Sequence, residues 1–331
     1  MNRLTLDELC DRLFAVQTPL IVMHTRPDGD TVGSAAAMVR LFALLGKEAR
    51  VIAPDPIPRR LAFLCTDLDF TEPDLDGAPY TVITVDVASR TQLGALRDRL
   101  TGSLSPALMI DHHERGEAYA DGYVRASAAA VGEIVFDIAK RMLERGMICE
   151  APVELLTPIY AAVSSDTGCF KYSNTTPHTH EVAASLISSG VDAAEINRLL
   201  FDVKTAGQLR AEGYVQSNLR LSGDGRISRI SISRACREAL GLLDEHFETA
   251  IDILRSLEGV EIAVAVRETP DGRFKASLRS TGIDVAAIAA SFGGGGHLRA
   301  AGCTLDAKDA EAAAEIIVDR ALACIKTSEN T

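Results

Sequence analysis

The stretch PLIVMHTRPDGD, residues 19–30, decides how the rest of the chain is read. Pro19 to Thr25 is a short apolar, β-branched run of the kind that forms a buried strand. Pro27-Asp28-Gly29-Asp30 must then be a loop. From Val32 to Leu45 the chain turns Ala/Leu-rich and stops at Gly46, which predicts a helix with a glycine terminator. The alternation continues downstream. Arg50–Ala53, Thr81–Val87 and Ala107–Ile110 read as strands, and Val131–Arg145 and Leu155–Val163 as helices. Strands spaced by helices imply βαβ units and a largely parallel sheet. His24, Asp86, Asp111 and His112 fall at or just after the carboxyl ends of apolar runs. Ligands of open α/β sheets bind outside those ends, so several distant segments point toward one crevice.

The second half has a different character. Ala193 to Leu219 reads as mostly helical and richer in charge, and Ser222–Gly225 as a turn. Arg229–Ser233 and Val260–Arg267 alternate like strands, Thr269–Gly272 is a hairpin-type turn, and Phe274–Arg279 is the returning strand. The expected organisation is a first α/β domain over 1–192, a helical linker over 193–221 and a smaller α/β domain over 222–331. A chain of 331 residues accommodates this, at the usual ~150 per domain.

With 47% hydrophobic and 24% charged residues, composition excludes a disordered or collagen-like chain. No apolar run reaches the ~20 residues a bilayer demands, and residues 1–10 lack an apolar signal core, so a cytoplasmic protein without membrane contact is expected. The seven cysteines include no CxxC pair, which suggests neither a disulfide framework nor a thiolate zinc site. Against 46 acidic residues there are 34 basic ones, a net charge of −12, with no Lys/Arg run and no Trp. A long polyanionic track is therefore disfavoured, whereas a small anion held through metal ions is not.

Four stretches carry the chemistry: His24–Asp30 followed by Gly33-Ser34, Asp86, Asp111-His112-His113, and Ser165-Asp166-Thr167-Gly168. Each alone has a plain reading as a turn or a helix cap. Together they gather carboxylates and imidazoles at strand ends of one sheet. Unpaired carboxylates packed together repel and raise one another's pKa, so a divalent metal cluster is the physical reason to assemble them. Imidazole and carboxylate donors without thiolate suit Mn²⁺, and less well Mg²⁺ or Zn²⁺. Two such ions can clamp the attacking and leaving oxygens of a phosphoryl transfer. One carboxylate must bridge them, and Asp86 on its central strand is the candidate.

These stretches resemble the motifs of the DHH phosphoesterase superfamily, which includes RecJ-type nucleases. Ser277-Leu278-Arg279-Ser280 and the run Gly293-Gly294-Gly295-Gly296-His297 resemble the associated C-terminal DHHA1 domain. The resemblance covers nearly the whole chain in the family's order. It implies that His24 and Asp28 hold one metal, that Asp30, His112 and Asp166 hold the other, and that Asp86 bridges. Asp111 is expected behind the ligands, fixing the His112 ring, and His113 at the scissile phosphate or the leaving oxygen. Arg279, Ser280, Gly294, Gly295, Gly296 and His297 are expected to bind substrate, since glycine backbone amides can approach a phosphate closely. The cleft between the domains would receive it. His178 and His180 look metal-like by alternation but read as part of the Thr/Pro turn opening a helix, and Ser127 reads as a helix cap.

Within the family the chain is most similar to the stand-alone two-domain nanoRNases. These enzymes hydrolyse oligoribonucleotides of a few residues and dephosphorylate 3′-phosphoadenosine 5′-phosphate (pAp). The expected partners are short single strands or small nucleotides, not long duplexes, and a homodimer is the expected assembly. A cyclic dinucleotide phosphodiesterase is the alternative enzyme, because motifs do not separate linear from cyclic phosphodiesters. A non-catalytic nucleotide-binding protein would have lost a ligand, and none is missing.

Overall fold

The computed structural model describes residues 2–70, 74–75, 79–114 and 116–329, with the side chains of Ser103, His297 and residues 326–329 outside the description. The chain divides into two compact units, Met1–Val203 and Lys204–Thr331.

In the first unit, β1 (Pro19–Val22), β2 (Arg50–Ile52), β3 (Thr81–Val85), β4 (Leu108–Asp111) and β5 (Asp121–Val124) form one sheet in the order β2-β1-β3-β4-β5. Every pair is parallel, with Ile21 of β1 beside both Val51 and Ile83. Residues of β1 and β4 are buried throughout, as strands covered on both faces require. Helices α1 (Leu6–Ala15), α2 (Gly29–Leu44), α3 (Val131–Glu144), α4 (Val153–Asp166), α5 (Pro177–Ser188) and α6 (Ala193–Asn197) complete the unit.

The helix expected from Val32 begins at Gly29, because the Asp28 side chain accepts from the Asp30 and Thr31 amides and caps the extra turn. Strand β5 was not read from the sequence; it is a short edge strand, DGYV, with no apolar run. Small residues let α2, α3 and α4 pack closely. A Cβ on Gly33 would lie 2.5 Å from the Pro158 carbonyl oxygen, and one on Gly132 would lie 2.7 Å from the Ala162 Cβ. Pro158 sits inside α4 and has no N–H to give to the Glu154 carbonyl. Arg40 of α2 supplies the missing donor, its Nη1 lying 3.0 Å from that oxygen.

The second unit contains α7 (Ala206–Asn218), β6 (Arg220–Ser222), β7 (Ile227–Ile232), α8 (Arg234–Leu240), α9 (Ala250–Arg255), β8 (Ile262–Glu268), β9 (Phe274–Ser280), α10 (Val285–Ala290), β10 (Gly295–His297), β11 (Ala300–Leu305) and α11 (Ala310–Glu329). Its sheet runs β10-β11-β9-β8-β7-β6, parallel only between β7 and β8. Strand periodicity sorts the side chains of β8. Ile262, Val264 and Val266 join the core with Ile317 and Ala321 of α11, while Ala263 and Ala265 pack with Val215 of α7 and Leu254 of α9. The stretch read as a linker is divided, α6 lying in the first unit and α7 in the second.

Two glycine substitutions separate close approach from mere helix propensity. Gly33→Ala meets backbone and is expected to destabilise the protein by about 1–3 kcal/mol. Gly213→Ala, at an exposed position of α7 with open space around it, is expected to stabilise by about 0.4–1 kcal/mol. Urea unfolding midpoints check both, and a Gly33→Ala protein as stable as its parent would contradict the packing described.

Candidate metal centre

Three neighbouring strands deliver the central groups. His24 follows β1, Asp86 follows β3, and Asp111, His112 and His113 end and follow β4. Because β1, β3 and β4 are consecutive in the sheet, residues far apart in sequence meet at its carboxyl edge. The N-cap of α2 adds Asp28, its first turn Asp30, and the last residue of α4 Asp166.

His24 Nε2 lies 3.3 Å from Asp86 Oδ2 and 3.7 Å from Asp28 Oδ1. His112 Nε2 lies 3.6 Å from Asp86 Oδ1 and 3.8 Å from both Asp30 Oδ2 and Asp166 Oδ2. Three donor groups result among the described residues, each with donor atoms within 4.8 Å of one another: Asp86-His112-His113, and the pair His24-Asp28-Asp86 and Asp30-His112-Asp166. Asp86 lies between that pair, one oxygen toward each. Such spacings exceed hydrogen-bond length but suit donors that each stand about 2.0–2.2 Å from a shared cation.

Backbone and side-chain contacts aim every donor. His24 Nδ1 donates to the Thr25 carbonyl at 2.7 Å and His112 Nδ1 to the Ala128 carbonyl at 3.1 Å, which turns each Nε2 toward the carboxylates. Asp30 is 1% exposed. Its carboxylate accepts from the Val131 and Gly132 amides at 2.7 and 3.0 Å and from Ser34 Oγ at 3.0 Å. Asp30 therefore caps α3, whose own N-cap residue is Ala130, and Ser127, expected to be a cap, is not one. Asn174 Nδ2 donates to the Asp166 and Ala129 carbonyls at 3.2 and 3.0 Å. Asp86 has φ +60°, a left-handed conformation costly for a non-glycine residue, held by its N–H donating to the Ile110 carbonyl at 3.0 Å. The Tyr119 hydroxyl steadies the next residue by donating to the Val87 carbonyl at 2.8 Å. Asn174 and Tyr119 escaped the sequence reading because neither carries a spacing signal, and Ser34 stands in the first motif without a role.

One expectation is corrected. Asp111 holds His113, not His112: its Oδ1 accepts from His113 Nδ1 at 2.8 Å, and the Ala128 carbonyl does the job at His112.

The electrostatics fit a cation. Burial, and then the neighbouring carboxylates, push Asp30, Asp86 and Asp166 up to about 7. Burial opposes charge on the imidazoles, yet Asp28 and Asp86 outweigh it at His24, pushing it up to about 11, and Asp30, Asp86 and Asp166 push His112 up to about 9. Burial also works against charge on Asp28, but His24 and the amides of Thr31 and Asp30 hold it below the usual carboxylate range. Among the described residues Asp86 Oδ1 is buried and has no hydrogen-bond partner, a cost that a bound cation removes.

In the second unit, Arg279 is half-buried with Nη1 donating to the Leu278 carbonyl at 3.0 Å. Ser280 is buried and its hydroxyl donates to the Ile283 carbonyl, so it shapes the turn after β9 and is not free for a ligand. A Cβ on Gly294 would lie 2.2 Å from the Gly302 carbonyl oxygen, and one on Gly296, at φ +144°, would lie 2.5 Å from that of Ala300. The run thus meets a packing demand of the β10–β11 pair, while the Gly295 position is open. The His297 side chain lies outside the described residues. His178 and His180 stand on α5, capped by Thr176, with His180 stacked on Phe170 at 5.5 Å.

Cation binding must displace protons from Asp30, Asp86, Asp166, His24 and His112. Mn²⁺ affinity is expected to rise with pH across about 7, where the carboxylates lose their protons, and on through about 9, where His112 does, by about tenfold or more per unit. Calorimetry in buffers of different ionisation enthalpy measures the released protons, and a pH-independent affinity would contradict the geometry.

Family comparisons agree with this arrangement. Residues 19–163 match the DHH family N-terminal domain and residues 239–326 match the DHHA1 domain. A bifunctional oligoribonuclease and PAP phosphatase NrnA of Thermus thermophilus is 32% identical over 312 residues, 93% of this chain and 90% of that protein. The protein of the same description in Bacillus subtilis is 26% identical over 321 residues, 97% of each chain. The crystal structure of an exopolyphosphatase-related protein from Bacteroides fragilis superposes with a TM-score of 0.87 at 25% identity, covering 98% of this chain and 97% of that one. With its Asp-His-His triplet at the carboxyl end of β4 and its second unit matching DHHA1, the chain belongs to the DHH phosphoesterase family.

Proposed function

We propose that the protein is a metal-dependent phosphodiesterase that hydrolyses short oligoribonucleotides to mononucleotides and removes the 3′-phosphate of pAp. The observation that carries this reading is the paired donor set around Asp86, with its buried, unpartnered Oδ1. His24, Asp28 and Asp86 would hold one cation, and Asp30, His112 and Asp166 the other. The donors are imidazole and carboxylate without thiolate, which favours Mn²⁺. When bound, such a pair lowers the pKa of water and offsets phosphoryl charge.

The chain's own residues do the remainder. His24 and His112 are held by neutral carbonyls and offer Nε2 as a donor atom. His113 is held by a carboxylate, which favours its protonated form and suits it to give a proton to the leaving oxygen as the P–O bond breaks. Arg279 and the backbone of Gly294, Gly295 and Gly296 are read as gripping the terminal phosphate, with His297. The net charge of −12 supports small substrates over long polyanions. Support also comes from the 32% identical relative described as an oligoribonuclease and PAP phosphatase.

One assay panel tests the reading: pAp, linear di- to penta-ribonucleotides and cyclic di-AMP, each with Mn²⁺. Turnover of pAp and the linear substrates above the cyclic one is expected. Preference for cyclic di-AMP would move the assignment to a cyclic dinucleotide phosphodiesterase, and no turnover of any would refute it. His113→Ala is expected to keep the full metal content and lose about 10²–10⁴-fold in turnover. Loss of metal, measured by elemental analysis, would show that His113 is a ligand.

A further inference from the structure

The first unit holds a cavity of about 350 Å³ that shares a wall with the metal centre. Met109 and Asp111 of β4 line it beside Gly122 and Val124 of β5, their partners in register. His113 belongs to both places: it lines the cavity, and its Nδ1 stands 3.6 Å from Asp86 Oδ1. A group attached to the oxygen that His113 protonates would therefore have this cavity next to it.

Asp111 supplies the chemistry. Its side chain is 1% exposed, and its Oδ1 is committed to His113. Among the described residues its Oδ2 has no hydrogen-bond partner. A buried acceptor left unpaired costs about 1–3 kcal/mol, so a donor is owed to it. Gly116 keeps the approach clear, since a Cβ there would already stand 3.6 Å from Oδ2. The volume is at the lower end of the ~300–1,000 Å³ range of small-ligand pockets, enough for one nucleoside. Met109 and Val124 offer apolar surface to a flat ring.

We propose that this cavity takes the base of the leaving nucleoside and that Asp111 Oδ2 selects bases carrying an exocyclic amino group. Adenine and cytosine present such a donor, whereas uracil presents a carbonyl oxygen at the corresponding edge and would be repelled. The inference rests on the phosphodiesterase reading for the identity of its ligand, and its test is a binding measurement that needs no turnover.

Adenosine, cytidine and uridine are titrated by calorimetry into the full-length, Mn²⁺-loaded protein. Adenosine and cytidine are expected to bind about 10–100-fold more tightly than uridine. Ala126→Trp and Ala118→Trp, two exposed cavity-lining positions, should each weaken adenosine by tenfold or more at unchanged Mn²⁺ stoichiometry. Asp111→Asn supplies the sharper sign. With its oxygen kept by His113, the amide turns a donor into the cavity, and preference should shift toward uridine. Equal affinity for the three nucleosides, no binding of any, or adenosine binding untouched in both Trp variants would overturn the proposal. Nucleoside binding that persists while pAp and oligonucleotides are not turned over would instead refute the phosphodiesterase reading and leave the pocket standing.

Discussion

Buried carboxylates that repel one another must be held in place by something other than mutual attraction, and this constraint organises the first unit. Asp30, Asp86 and Asp166 converge on His112, each with an oxygen 3.6–3.8 Å from its Nε2. Each is restrained from behind. Asp30 is anchored by the free amides at the start of α3, so one side chain ties α2 to α3 and presents its outer edge to the centre. Asp86 is locked by an uncommon backbone conformation at the end of a central strand. The close packing of α2, α3 and α4 through Gly33 and Gly132 keeps those anchors within reach of one another. Gathering buried like charges in this way costs stability wherever no cation is bound, which is the usual trade of stability for function.

The two histidines of the Asp-His-His triplet receive different treatment. A carbonyl behind His112 fixes its ring without adding charge, so the imidazole is suited to ligate. The carboxylate behind His113 adds charge, and although burial works against protonation, Asp111 raises the pKa of the ring above its ordinary value. Adjacent residues with the same side chain are thus suited to different tasks, metal donor and proton carrier, because their partners differ. The rings also meet edge to face with centroids 4.9 Å apart, which couples their orientations.

Much of this was legible in the sequence. Strands β1, β3 and β4 are rich in apolar and β-branched residues, and the polar residues at their carboxyl ends announce a crevice. That polar residues after β1, β3 and β4 would meet followed from the convergence of strand ends in a parallel sheet, whereas the division of donors about Asp86 came from the resemblance to the DHH motifs. What the sequence does not carry is who stands behind whom. That Asp111 supports His113 depends on side-chain direction at the end of β4, and that Asp30 caps α3 depends on a contact across 101 residues. The DHHA1 resemblance placed Ser280 beside Arg279 among the substrate-binding residues, but strand alternation turns it inward to Ile283. The glycine run suggested a phosphate cradle, and the structure adds that Gly294 and Gly296 must be small for β10 to lie against β11.

The central claim is that two divalent cations share Asp86. Anomalous diffraction at the manganese edge, from crystals grown in Mn²⁺, tests it most directly. Two peaks are predicted, one on each side of the Asp86 carboxylate, the first bordered by His24 and the second by His112. A single peak, or none adjoining Asp86, would contradict the account.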